Sequence, residues 1–267
     1  MIRWNIKPRQ RMFRRILVIA LVTLLISTSL AAQQIVAHRG HHSAEGAAEN
    51  SIAALHAAHE AGIDIVEFDV AFTADGHVVV AHGPRHPQSG GELISKTELE
   101  ILRSVGLDNG EQIPTLEEYL EAACQYPEIG LFLEIKIVGK ESPDDVFKAV
   151  NEIVERHGLQ DRVTYISFSK EICDLAREHG SMYLGGNIKP KSVAKRGYSG
   201  INYPEGVLRL KPRWIRRAHD LGLKVSIWTV NNRGGARWAI RHGVDYITTD
   251  NPALIQESLE RYNNEDK

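Results

Sequence analysis

The feature that most constrains this chain is a rhythm. From Ile35 to the end, short apolar runs alternate with amphipathic stretches, the pattern of repeated βα units around a parallel sheet. The segments Ile35 to His38, Asp64 to Val70, Gly130 to Lys136, Arg162 to Ser167, Met182 to Gly185, Gly200 to Tyr203, Lys224 to Thr229 and Asp245 to Thr248 read as strands, eight in all. Helical stretches lie between most of them: Asn50 to Ala61, Pro143 to His157, Lys170 to His179, Pro212 to Leu221, Gly235 to His242 and Pro252 to Tyr262. Pro143, Pro212 and Pro252 fall where a first helical turn tolerates proline. No Pro/Gly/Ser-rich linker, internal repeat or low-complexity tract divides the chain.

One further apolar run, His77 to His82, follows the second strand across Asp75-Gly76, and Asp-Gly between apolar runs is a strong hairpin signal. A two-residue loop at Asp75-Gly76 sets His82 opposite Asp69, and directly paired residues share a face. The hairpin is thus expected to return His82 to the end of the second strand. From Gly83 to Glu128 the chain makes a longer excursion, where Thr97/Glu100 and Thr115/Glu118 have capping-box spacing and predict two short helices.

The N-terminus carries Arg3, Lys7, Arg9, Arg11, Arg14 and Arg15, then an uncharged stretch from Ile16, then Ser29-Leu30-Ala31. A basic flank, an apolar run shorter than the roughly 20 residues of a membrane helix, and a small-x-small site predict a signal peptide over residues 1–31, or an uncleaved anchor. Either places the remaining domain, residues 32–267, outside the cytoplasm, in the periplasm or secreted. Without that segment the chain has 26 Lys/Arg against 34 Asp/Glu. Such an acidic domain with no basic run argues against a nucleic-acid binder, and no protein partner is inferred. Its length suits one (β/α)8 barrel or two small domains. Cys124 and Cys173 are the only cysteines, too few for a disulfide framework.

Candidate chemistry gathers at the C-terminal ends of predicted strands, the end that carries the active site in barrel enzymes. His38 ends the first, Glu67 and Asp69 share one side of the second, and Glu134 and Lys136 share one side of the third. Three converging carboxylates repel and raise one another's pKa. One hard divalent cation resolves that repulsion, and all-oxygen ligation suits Ca²⁺ or Mg²⁺. Arg39 and Lys136 add positive charge for an anionic phosphate, while His38 and His82 can move protons near neutral pH.

The segments His38-Arg39-Gly40, Glu49-Asn50-Ser51, Glu67-Phe68-Asp69-Val70, Asp75-Gly76, Ile113-Pro114-Thr115-Leu116-Glu117-Glu118, Glu134-Ile135-Lys136, Trp228-Thr229-Val230-Asn231 and Thr249-Asp250-Asn251-Pro252 together resemble the ordered signature of the glycerophosphodiester phosphodiesterase family. The resemblance covers roughly residues 35 to 260. It implies a (β/α)8 TIM barrel, with a short β-hairpin and a small helical excursion after the second strand, that hydrolyses glycerophosphodiesters to sn-glycerol 3-phosphate and an alcohol. By motif it implies His38 as general base, His82 as general acid, Glu67, Asp69 and Glu134 as metal ligands, and Arg39 and Lys136 as phosphate-binding residues. It further implies attack by the glycerol hydroxyl beside the phosphate, through a cyclic phosphate, which gains from proximity. Trp228 is a candidate for the glycerol pocket. The sequence departs from the family pattern at His82-Gly83, where aspartate usually follows histidine, and in the stretch Pro84 to Gly91. These departures leave open another phosphodiester, such as a lysophospholipid, or a non-catalytic binding protein.

Other residues read as structural. Asn50 is expected to cap the first helix, with Glu49 beside it, and Asp250 to begin the last helix. His41, His42 and His86 read as solvated loop residues, and His56 and His59 as surface groups on the first helix.

Overall fold

A computed structural model describes residues 33–86, 91–137 and 142–265; the predicted signal segment lies outside them. Eight parallel strands close into a barrel: β1 (Gln34–Ala37), β2 (Ile65–Phe72), β4 (Gly130–Ile135), β5 (Val163–Ser167), β6 (Ser181–Tyr183), β7 (Gly200–Pro204), β8 (Lys224–Trp228) and β9 (Tyr246–Thr249). Each pairs with the next, and β1 pairs with both β2 and β9. A short strand, β3 (Val78–Val80), runs antiparallel to β2. The helices are α1 (Ile52–Glu60), α2 (Leu99–Val105), α3 (Leu116–Ala123), α4 (Pro143–Arg156), α5 (Lys170–Leu175), α6 (Pro190–Arg196), α7 (Glu205–Leu210), α8 (Arg213–His219), α9 (Arg233–His242) and α10 (Pro252–Glu265). The fold is a (β/α)8 barrel with a hairpin and a small helical excursion after the second barrel strand. No helix among the described residues is long and apolar enough to cross a membrane.

Side-chain alternation along the strands sorts residues between two cores. Ile35, Ala37, Val66, Phe68, Val70, Leu131 and Leu133 face outward into the apolar layer beneath the helices. Val36, Ile65, Phe132, Ile166, Met182 and Leu184 face inward, with Tyr246 and Trp228 packed against them. The same parity sends Glu67, Asp69 and Glu134 inward, one or two steps further toward the strands' C-terminal ends. Apolar side chains thus plug the lower barrel and carboxylates crown it, so the site has a dry floor.

The hairpin register differs by one residue from the sequence expectation. Val70 pairs with Val80 and Phe72 with Val78, and Thr73 and His77 are joined by a hydrogen bond from the Thr73 N–H to the His77 carbonyl (2.9 Å). The loop therefore has three residues, Ala74 to Gly76, and Ala81 stands opposite Asp69, donating to its carbonyl at 3.0 Å. The Asp75 carboxylate explains the extra residue. It accepts from the Thr73 hydroxyl (2.6 Å) and from the Leu99 N–H at the start of α2 (3.2 Å), so the loop widens to cap a helix of the excursion. That cap replaces the Thr97/Glu100 box, because Thr97 donates to the Leu93 carbonyl instead. The Thr115/Glu118 box forms as expected at α3.

Helices α6 and α7 lack the long amphipathic period that marks the others, and they are absent from the sequence reading. Cys124 is exposed and Cys173 buried, both as free thiols.

Candidate active site

A cavity of about 270 Å³ opens at the C-terminal mouth of the barrel and is lined by His38, Arg39, Glu67, His82, Glu134, Lys136 and Trp228 among others. Asp69 completes the set beneath it, fully buried. All eight candidate residues named from sequence therefore converge on one mouth. His82 arrives there although the pairing arithmetic was off by one: β3 ends at Val80, and the chain leaves the sheet before His82 is reached.

Two left-handed residues shape the first loop. Arg39 (φ 56°) and Asn50 (φ 61°) both occupy a conformation uncommon outside glycine. The turn at Arg39 aims its backbone N–H at Glu67 Oε2 (2.9 Å), while its side chain pairs with Glu49 and passes 3.7 Å from Asp69. Gly40 follows at φ +76°, where a Cβ would stand 2.7 Å from the Ala54 Cβ. Glycine here lets the His38-Arg39 turn press against α1.

Asn50 does not cap α1; Ser51 does, its hydroxyl accepting from the Ala54 N–H. The Asn50 side chain instead clasps Asp69, its amide donating to Asp69 Oδ2 (3.0 Å) and its carbonyl accepting from the Asp69 N–H (3.1 Å). Asp250 likewise is no cap, because Asn251 accepts from the Leu254 N–H and fills that role. Asp250 Oδ1 accepts a hydrogen bond from the His38 Nδ1–H (N···O 2.6 Å) and lies 3.5 Å from His42 Nε2. Sequence reasoning assigned both residues to helix starts, since each adjoins one; only the fold brings them under site residues far away in the chain. His86 is buried rather than solvated.

Glu67, Asp69 and Glu134 each offer an oxygen within 4.8 Å of the other two. Burial first, then the Asp69 charge, push both Glu67 and Glu134 up to about 8. Burial acts to raise Asp69 too, but the Lys136 ammonium holds it below the ordinary aspartate value. Lys136 pairs with Asp69 and lies 2.8 Å from Glu134. Lys136 and, at 3.7 Å from Asp69, the Arg39 guanidinium supply two positive charges for three buried carboxylates, which leaves the cluster short of positive charge. Glu67 Oε1, moreover, is buried with no hydrogen-bond partner among the described residues. Buried, all-oxygen and under-neutralised, the three carboxylates fit a hard divalent cation.

The His38 Nδ1 hydrogen bond to Asp250 leaves Nε2 as the nitrogen turned toward the carboxylates, 3.9 Å from Glu67 Oε2. Burial lowers the His82 pKa, opposed by the Asp69 charge. On the far wall Trp228 donates its indole N–H to the Asn202 carbonyl (3.0 Å) and meets Phe168 edge-on at 5.9 Å.

The profile of the glycerophosphoryl diester phosphodiesterase family matches residues 38–254. The chain belongs to that family. A glycerophosphodiester phosphodiesterase structure from Parabacteroides distasonis is 34% identical, with a TM-score of 0.82 over 87% of this chain and 99% of that one. A glycerophosphodiester phosphodiesterase from Caldanaerobacter subterraneus subsp. tengcongensis is 28% identical, covering 83% of this chain and 95% of the relative. A phosphodiesterase from Oleispira antarctica, solved in complex with the product sn-glycerol-3-phosphate, is 27% identical, with a TM-score of 0.75 over 86% and 97% of the two chains. As a glycerophosphodiester phosphodiesterase family member, the chain is a phosphoric diester hydrolase.

Proposed function

We propose that the domain hydrolyses glycerophosphodiesters to sn-glycerol 3-phosphate and an alcohol, with one divalent cation, Ca²⁺ or Mg²⁺, held by Glu67, Asp69 and Glu134. The observation that carries this reading is the convergence of the acidic cluster, two imidazoles and two cationic side chains on one cavity. A cation bound there supplies a Lewis acid that draws charge from the phosphoryl oxygens.

The protein's own groups do the rest. Arg39 and Lys136 attract and orient the phosphate, the first as a planar fork and the second as a point charge. Asp250 fixes the His38 tautomer by accepting a hydrogen bond from its Nδ1–H, so Nε2 is free to accept the proton of the attacking hydroxyl. As the glycerol hydroxyl oxygen bonds to phosphorus, the bond from phosphorus to the leaving oxygen breaks and His82 delivers a proton to that oxygen. Water then attacks the cyclic phosphate with the two imidazoles in exchanged roles, breaking the bond just formed and releasing sn-glycerol 3-phosphate. Burial holds His82 toward its neutral form in the free protein, and the negative charge of an entering phosphodiester favours the protonated ring. Trp228 offers an apolar wall to the glycerol carbons. A second reading, hydrolysis of a lysophospholipid, draws on the half-exposed Phe168 beside Trp228, which extends that wall to the mouth.

The experiment incubates purified protein with glycerophosphocholine, glycerophosphoethanolamine or a lysophospholipid while Ca²⁺ and Mg²⁺ are titrated, following sn-glycerol 3-phosphate and choline release. Chelation is expected to silence the enzyme reversibly. Absence of turnover on every diester with both metals overturns the reading, and activity that survives chelation overturns the metal assignment. We further propose export, on the strength of the basic flank, apolar run and small-x-small site before residue 32. N-terminal sequencing of protein from fractionated cells tests it.

A further inference from the structure

The acidic average of the domain conceals a division. Residues 180–244, which form three successive units of the barrel wall, carry 13 Lys/Arg and only two carboxylates, Glu205 and Asp220. The rest of residues 33–267 carries 13 Lys/Arg against 32 Asp/Glu. One flank is therefore net +11 and the rest of the domain net −19.

Part of the basic flank reaches the barrel mouth. In a parallel barrel each helix that follows a strand starts at the strands' C-terminal end. Lys189 and Lys191 at the start of α6, which follows β6, therefore stand on the rim that also bears the cavity, and Lys211 and Arg213 lie at the same end of the barrel, because the adjoining Trp214 ring packs 6.1 Å from that of Tyr203, the next-to-last residue of β7. All four are exposed, and none has an ion-pair partner among the described residues. The starts of α3 and α4, by contrast, carry acidic side chains, the charge that aligned backbone dipoles favour there. Among the basic groups, at the C-terminal end of α7, Leu210 is 84% exposed. Beside it the Lys211 ammonium lies 4.1 Å from the centre of the Trp214 ring.

We infer that this sector of the mouth rim docks on an anionic lipid surface, with Leu210 entering the headgroup layer and Lys189, Lys191, Lys211 and Arg213 facing the lipid phosphates. An exposed aliphatic side chain flanked in sequence by Arg209 and Lys211, the latter lying over Trp214, matches the layering of such an interface, apolar inside and anionic at its face. A nucleic acid uses the cations but gives the leucine nothing to enter. Docking in this orientation holds the cavity at the bilayer surface, next to diesters still attached to or leaving the membrane. The inference stands on surface charge and exposure and is independent of the catalytic assignment.

The test is flotation of residues 33–267, which hold both cores and correspond to nearly the full length of the Parabacteroides relative. Vesicles are phosphatidylcholine alone or mixed with phosphatidylglycerol, at low and high salt. The domain is expected to float with the mixed vesicles at low salt, to stay behind with neutral ones, and to be released by high salt. Each cation at an anionic surface contributes about fivefold to partitioning. The double variant Lys211→Gln, Arg213→Gln is thus expected to bind more than about tenfold more weakly with an unchanged melting temperature. Leu210→Asp, which leaves the cations in place, is expected to weaken binding independently. Equal partition onto neutral and anionic vesicles, or undiminished binding by both variants, overturns the inference. Duplex DNA that displaces the vesicles and depends on the cations but not on Leu210 also overturns it, in favour of a nucleic-acid surface.

Discussion

Neither Asp250 nor Asn50 lines the central cavity, yet each fixes a residue that does. Asp250 holds the His38 ring by Nδ1, so Asp250→Asn, whose amide can present a donor where an acceptor is needed, is expected to misplace or mis-protonate the base. The expected result is a fall in kcat of about a hundredfold with KM little changed, and partial recovery in Asp250→Glu; equal kinetics in Asp250→Asn and parent would remove Asp250 from the mechanism. His38→Ala and His82→Ala are expected to cost roughly 10² to 10⁴ in kcat with near-native circular dichroism, and near-parental turnover by either variant refutes its role. Asn50→Ala strips Asp69 of two hydrogen bonds in a buried setting. Chemical denaturation should register a loss of about 1.5 to 3 kcal/mol, the range for a hydrogen bond to a charged group.

At the scale of elements, the junction between β1 and α1 shows how the site is held. Gly40 packs its bare Cα against Ala54 of α1 in a left-handed conformation, so Gly40→Ala meets a steric clash and a backbone penalty together. Thermal and denaturant unfolding should report at least about 2 kcal/mol of destabilisation, with lost activity as the His38-Arg39 turn shifts. The eight parallel strands and most helices were legible in the sequence because each carries its own period, two for a strand and 3.6 for a helix, written into consecutive residues. The inward parity of Glu67, Asp69 and Glu134 was legible for the same reason. What was not legible depended on partners distant in sequence. The hairpin loop gained a residue because Asp75 reaches across to Leu99, and Asn50 and Asp250 left their adjacent helices for Asp69 and His38. Helices α6 and α7 are too short for an amphipathic period to stand out. The one-residue register error nonetheless left His82 in the cavity, since the strand stops before its alternation could send that side chain to the other face.

For the molecule as a whole, the buried acidic cluster couples folding to pH and to cation binding. Glu67 and Glu134 hold folded values of about 8 against 4.5 for an unperturbed glutamate. Between those values the folded domain binds more protons than the unfolded chain, so stability is fully present below about 4.5 and falls as pH rises toward 8. His41 and His82 are lowered by burial from 6.5 and act in the opposite sense, but only up to that pH. The interval from pH 6.5 to 8 therefore isolates the two glutamates from these histidines. In the presence of a chelator, the melting temperature is expected to decline steadily across this interval, as ionising carboxylates crowd one another with Lys136 and Arg39 too few to offset three charges. With a saturating divalent cation the same carboxylates are ionised in the bound state throughout, binding adds its own stabilisation, and the decline should vanish or reverse. Differential scanning calorimetry at matched ionic strength, with and without chelator, reads this directly. A melting temperature that stays flat in chelator, or a decline that a divalent cation leaves untouched, would mean that these three carboxylates neither repel in the free domain nor meet a cation in the loaded one.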